Sequence, residues 1–197
     1  MAKLLLTLAH PNPESLNGAT AKSIQEALEK DGHTVRLNDL YRTDLDPILG
    51  FTDFEKWGDG KVPDAVKPFQ EDIAWADGLL FVFPTWWNDR PAYLQGYFDR
   101  VYTKGFAWDF DENGLVGKLK GKRAFLAVTQ GSPKELYQGL GIDMSQLFSS
   151  TEKGTMGFCG ITDVKTVTTY GILMQQPGVP EQHIKDATEG AVAFFKS

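Results

Sequence analysis

Three short segments of this chain carry residue types suited to gripping a flat, charged ligand. The first, His10-Pro11-Asn12-Pro13-Glu14-Ser15-Leu16-Asn17, leads from an apolar run into a helical one. A helix start leaves backbone N–H groups unpaired and carries the positive end of the dipole, which suits a phosphate. His10, Ser15 and Asn17 add side-chain donors, although Ser15 or Asn17 acting only as a helix cap explains them equally. The second segment, Pro84-Thr85-Trp86-Trp87-Asn88-Asp89-Arg90-Pro91, puts two tryptophans at the end of an apolar run. Paired indoles can wall a flat aromatic ligand while backbone groups bond its edge; the competing reading is cover for the core or for a subunit interface. The third, Thr129-Gln130-Gly131-Ser132-Pro133 followed by Tyr137, sets a glycine beside small hydroxyls. A glycine there lets backbone approach a ring closely, though such loops are also ordinary turns.

Strand and helix signals alternate along the whole chain and must position these segments. Apolar or alternating runs predict strands over residues 4–9, 34–40, 78–83, 123–128 and 164–170. Helical spacing predicts helices over 17–30, part of 66–76, from Pro91 to about 101–102, and 180–195, with an interrupted helix in 134–148. Residues 44–68, rich in Pro and Gly, read as a long excursion with room for a short helical piece, and 111–122 reads as a loop. Five strands separated by helices imply a parallel sheet covered on both faces, in one domain spanning 1–197. Ligands of such sheets bind beyond the carboxyl ends of the strands. The three segments follow strands one, three and four, so all three belong at that rim.

Other chemistries find little support. The net charge of -6 argues against nucleic acid or an anionic membrane as the main partner. The one cysteine, Cys159, excludes an intramolecular disulfide and reads as a small buried apolar residue. The three histidines, His10, His33 and His183, show no metal-ligand spacing, so no metal is expected. No G-x-G-x-x-G follows a strand, and Gly117-Lys118-Leu119-Lys120-Gly121-Lys122 is one residue short of a phosphate loop, with Arg123 where Ser or Thr is needed. The apolar N-terminal run is too short for a signal peptide, and no run is long enough to span a membrane. A cytoplasmic protein is expected. Phe106-Ala107-Trp108-Asp109-Phe110 reads as either a core edge or a lid.

These motifs resemble the NAD(P)H:quinone oxidoreductases of the flavodoxin-like superfamily, the DT-diaphorase group and its bacterial relatives. The matching stretches run in family order: His10 to Asn17, Asp39-Leu40-Tyr41 with Leu45-Asp46-Pro47, Pro84 to Trp87, the long run Pro91 to Val101, Gly105 to Trp108, Thr129 to Ser132 with Tyr137, and Phe158-Cys159-Gly160. The resemblance implies an α/β flavodoxin-like fold, with a five-stranded parallel sheet in the order 2-1-3-4-5. It implies a tightly held flavin, FAD or alternatively FMN, and a homodimer with active sites at its interface. Carried over by position, His10, Ser15, Leu16 and Asn17 hold the flavin phosphates. Pro84, Thr85, Trp86, Trp87 and Asn88 line the isoalloxazine ring; Thr129, Gln130, Gly131, Ser132 and Tyr137 meet its other edge. Trp108 and Phe110 match aromatic substrate-pocket positions, and Asp99 matches a position that reaches the flavin from the partner subunit. Family members usually read Thr-Thr-Gly-Gly where this chain reads Thr129-Gln130-Gly131-Ser132. A histidine that follows the tyrosine in animal members has no counterpart here; the nearest segment reads Gly141-Ile142-Asp143-Met144.

The activity so implied is a two-electron transfer from NAD(P)H to a quinone-like acceptor, in ping-pong order at one shared site, with the chemistry carried by the cofactor. Tyr137 and the backbone at Gly131 are the candidate stabilisers of the reduced ring. Relatives that serve as ancillary subunits of potassium efflux systems suggest the alternative of a flavin-binding regulatory partner. A one-electron carrier ranks behind both, because the first loop lacks the Thr/Ser-rich phosphate pattern of that group.

Overall fold

A computed structural model describes residues 1–196, apart from the side chain of Ser145. Strands β1 (Lys3–Leu8), β2 (Thr34–Asp39), β3 (Gly78–Pro84), β6 (Arg123–Thr129) and β7 (Asp163–Thr169) form a five-stranded sheet in the order β2-β1-β3-β6-β7, every pair parallel. This is the expected 2-1-3-4-5 order with a separate hairpin set aside. That hairpin, β4 (Trp108–Asp111) and β5 (Gly114–Gly117), is antiparallel and corrects the expectation of a loop over 111–122. Its strands are only four residues each and partly polar, so they carry no periodic signal.

The apolar run of β3 is buried at every position, as a strand covered on both faces must be. Side-chain alternation splits the core in two. Leu79, Phe81 and Phe83 join Leu126 and Val128 under helices α3 (Lys67–Trp75) and α4 (Ala92–Val101). Leu80 and Val82 join Leu4, Leu6 and Phe125 under α1 (Leu16–Lys30) and α6 (Val179–Phe195). Truncating one of these Leu or Phe side chains would cost roughly 2–5 kcal/mol.

Residues 44–68 hold a helix, α2 (Phe51–Gly58), anchored by a buried ion pair. Arg100 on α4 donates to Asp53 Oδ1 from Nη2 at 2.8 Å and from Nε at 3.0 Å, while Gly50 N donates to Asp53 Oδ2 at 2.9 Å. Arg100 Nη1 also reaches Asp46 O at 2.5 Å, so both charges are hydrogen-bonded as burial demands. The excursion comes so close to α4 that a Cβ on Gly96 would meet Pro47 O at 1.9 Å. The expected helix in 134–148 is shorter than predicted: α5 stops at Lys134–Gly139, and Gly141 takes φ +73. A π-helix at Ser150–Gly157 was not legible in the sequence; its wide turns are marked by bonds such as Phe158 N to Lys153 O at 3.1 Å.

Candidate active site

The carboxyl ends of β1, β3 and β6 lie side by side, and the three loops leave from the same rim. Pro84 pairs with Thr129 at the end of the β3–β6 ladder. Thr85 N then donates to Thr129 O at 2.8 Å, carrying the pairing one residue into the second loop. Ala9 N donates to Val82 O at 3.0 Å and ties the first loop to the same edge. Asn17, buried on α1, donates from Nδ2 to Thr129 Oγ1 at 3.0 Å and so bridges the first and third loops.

In the first loop Ser15 caps α1, its Oγ accepting from Gly18 N at 3.2 Å. The capping reading therefore holds for Ser15, and the N–H groups of Leu16 and Asn17 are left outside the helical ladder. Gly18 is needed for close approach, since a Cβ there would meet Pro13 O at 1.8 Å. His10 Nδ1 sits 3.0 Å from Asn12 N and closes a local turn, and the His10 ring leans toward Trp86 at 6.1 Å between centroids. Glu14 is exposed.

The second loop is a two-residue turn. Trp86 N donates to Asp89 O at 2.9 Å and Asp89 N to Trp86 O at 3.2 Å. Between them Trp87 and Asn88 take φ 54 and 64. Left-handed backbone suits Asn; at a bulky Trp it is strained, and such strain gathers at binding sites. Trp86 and Trp87 are both exposed, Trp87 fully, so neither covers the core of this chain. Arg90, at the loop's end, is fastened by Nε to Gln95 Oε1 at 2.5 Å and by Nη1 to Thr151 Oγ1 at 2.8 Å, with Phe98 under its guanidinium at 5.2 Å. Desolvation lowers the Arg90 pKa from its ordinary value.

The third loop is knitted to the segment after β7. Gln130 N donates to Thr169 O at 2.8 Å, Ile172 N to Gln130 O at 3.1 Å, and Leu173 N to Gly131 O at 3.1 Å, while Ser132 O accepts from Gly171 N at 2.9 Å. Gln130 is fully buried, and its Oε1 accepts from Tyr137 OH at 3.0 Å and from Thr85 Oγ1. Tyr137 itself is buried on α5. The segment 171–174 is a rim component that sequence reasoning missed; the glycine directly after a strand end was its one signal.

The remaining named residues lie elsewhere. A cleft of about 1110 Å³ opens between α2, the end of α4, the hairpin and the π-helix, lined among others by Trp57, Phe98, Asp99, Phe106, Trp108 and Phe158. Trp108 donates from Nε1 to Tyr102 O at 3.0 Å and meets Phe158 edge-on at 5.3 Å. Phe110 packs on Trp108 at 5.7 Å but is exposed and does not line the cleft. Asp99 accepts from Gln95 Nε2 at 2.6 Å. Among the described contacts, none joins Trp108, Phe110 or Asp99 directly to His10, Thr85 or Thr129. Cys159 lies at the cleft floor, where burial pushes its thiol up to about 11, so it is held as a neutral thiol.

Comparison with known proteins agrees with this architecture. A family model described as a flavodoxin-like fold matches residues 2–194. A Haemophilus influenzae protein named as an uncharacterized NAD(P)H oxidoreductase is 34% identical over 162 residues, 82% of this chain and 80% of that protein. NAD(P)H dehydrogenase (quinone) 1 of Cavia porcellus is 30% identical over 198 residues, 91% of this chain and 72% of that protein. Among solved structures, the NAD(P)H:quinone oxidoreductase from Methanothermobacter marburgensis superposes with a TM-score of 0.82 at 26% identity, covering 96% of this chain and 97% of that one. The chain belongs to the flavodoxin-like fold family, among its NAD(P)H oxidoreductases.

Proposed function

We propose that this chain is a flavin-dependent NAD(P)H oxidoreductase that reduces quinones or similar small acceptors by two electrons. The observation that carries the reading is the convergence of three loops on one rim, sealed by Thr85 N to Thr129 O at 2.8 Å and Asn17 Nδ2 to Thr129 Oγ1 at 3.0 Å. The residues present fit a flavin, with FAD favoured over FMN by the resemblance of the motifs. The unladdered N–H groups of Leu16 and Asn17, with His10 and Ser15 beside them, suit its phosphates. The strained turn at Trp87 and Asn88 offers both an aromatic face and free backbone to the ring, with Pro84, Thr85 and Trp86 behind it. Gly131, Ser132 and Tyr137 close the opposite edge.

The flavin, once bound, supplies the hydride chemistry, accepting from NAD(P)H and passing two electrons to the acceptor. The protein's part is orientation. Stacking donor and acceptor in turn on one face confers proximity worth up to about 7–11 kcal/mol in well-oriented intramolecular comparisons. Trp108 and Phe110 would contact the substrate and Asp99 the flavin of a partner subunit, since within one chain they sit apart from the rim. A homodimer brings one chain's cleft to the other's rim. No helix among the described residues is long and apolar enough to cross a membrane.

Steady-state kinetics with NADH or NADPH against menadione test the reading. Parallel double-reciprocal lines are expected for one shared site, and intersecting lines contradict it.

A further inference from the structure

Resting on the flavin reading above, we propose that Arg90 is a positioning residue that braces the strained turn of the second loop against the π-helix, and so holds ready the face offered to the ring. The turn is closed by its own backbone between Trp86 and Asp89, with Trp87 and Asn88 in left-handed conformation. Such backbone at a bulky residue persists only where the surroundings over-determine it. On its N-terminal side the loop is tied to the sheet through Thr85 N and Thr129 O. On its C-terminal side the tie is Arg90. The Arg90 backbone N donates to Asp89 Oδ1 at 2.7 Å. Its side chain reaches two other segments, α4 through Gln95 Oε1 at 2.5 Å and the π-helix through Thr151 Oγ1 at 2.8 Å and Thr155 Oγ1 at 3.4 Å.

Chemistry fixes the direction of each of these bonds. A guanidinium only donates, so Gln95 presents its carbonyl to Arg90 and both threonine hydroxyls accept. The amide nitrogen of Gln95 then donates to Asp99 Oδ1 at 2.6 Å, a carboxylate that only accepts. Both ends of the Gln95 amide require the same orientation. A half-buried charge ordinarily pairs with an opposite one, and here it does not. The carboxylates whose charge acts on the guanidinium, Asp89 and Asp99, make no described hydrogen bond to it, and each of its described bonds ends on a neutral oxygen. A flat fork that spans two segments at once accounts for Arg at this place, whereas a Lys ammonium carries the same charge at a single point. Gln95, Asp99 and Thr155 line the cleft, so the brace runs from the rim into the cleft wall. Without it the turn relaxes to unstrained backbone, and the apparent flavin affinity falls in proportion to the chains that keep the competent turn.

The test measures the dissociation constants of FAD and FMN for the folded wild-type protein and its variants. Arg90→Met removes the side-chain donors at similar length. It is expected to weaken flavin binding about tenfold, as when the competent turn falls to about a tenth of the chains. Arg90→Lys keeps the charge and loses the fork, and is expected to bind as weakly as Arg90→Met. Thr151→Val, on the π-helix end of the brace, is expected to weaken binding about threefold alone and to add nothing in the Arg90→Met background. An Arg90→Met protein with wild-type affinity overturns the proposal. So does an Arg90→Lys protein with wild-type affinity, because charge alone would then suffice. So does a Thr151→Val effect that adds in full to that of Arg90→Met, because a general loosening of the fold acts that way. If Arg90→Met does not fold, Arg90→Lys and Thr151→Val decide, and wild-type affinity in either overturns the proposal. A wild-type protein that binds neither FAD nor FMN removes the flavin reading and this role with it. A wild-type protein that binds flavin while any overturning result holds removes only the role of Arg90.

Discussion

The rim around His10, Thr85 and Thr129 is assembled chiefly by backbone, whereas the cleft around Trp57, Phe98 and Trp108 is assembled by side chains from segments far apart in the chain. The rim inherits its geometry from the sheet register: once Pro84 pairs with Thr129, the second and third loops have no freedom to separate. The cleft has no such frame. Its α2 wall hangs on the ion pair of Asp53 with Arg100, and its π-helix wall is linked to the second loop through Arg90. Two regions of one fold thus differ in what would break them, and substitutions can separate them.

The largest expected effect is on the cleft. Arg100→Leu leaves Asp53 buried without its counter-charge, and should destabilise the protein by about 3–5 kcal/mol in urea unfolding. Mild truncation of the exposed α2 residue Phe51, 78% accessible, should cost almost nothing by comparison and serves as the control.

The scaffold beneath both regions gives the next effect. His183 on α6 is fully buried with Nδ1 2.9 Å from Thr169 Oγ1, and burial lowers its pKa from 6.5 to about 4. Above pH 6.5 it is neutral in both folded and unfolded chains and adds no pH dependence. As pH falls through the interval between 6.5 and about 4, the unfolded chain binds a proton that the folded chain refuses, so stability drops, by about 3 kcal/mol in full. His183→Gln should lack this part of the acid sensitivity; unfolding curves of both proteins across that interval check it.

A smaller effect belongs to the rim. Gly18→Ala drives a methyl group into Pro13 O, and should cost about 1–3 kcal/mol while weakening flavin binding through the displaced first loop. The smallest is at the tip of the second loop. Trp87→Gly relieves left-handed backbone and removes a fully exposed indole, so stability should change by no more than about 1 kcal/mol. Flavin affinity should fall by a similar energy, through loss of the stacking face. Unchanged affinity would show that the indole serves something other than the ring.

The contrast also explains what could be read from residues alone. The strand order came from the resemblance of motifs, whereas the five strands and the three rim loops were legible, because strands show as apolar or alternating runs and loops after parallel strands share one edge by topology. The direction of the Asn17 and Gln130 side chains was not, since tertiary partners 112 residues away (Asn17 with Thr129) leave no local trace. Helix α2 is the short helical piece for which 44–68 had room, its bounds obscured by the prolines and glycines around it, while hairpin β4–β5 was hidden by its polar, short strands. The π-helix escaped because its turns do not follow the 3.6-residue period on which helix reading depends. Trp108 and Asp99 came from resemblance of motifs; the cleft they share with Trp57 and Phe158 emerged only from the fold.

The central claim is that the rim binds a flavin. Purified protein, heated to release any small molecule and analysed by mass, should yield FAD or FMN, and protein stripped of it should take up one of them with a return of yellow colour. Colourless protein that neither releases nor regains a flavin would contradict the account.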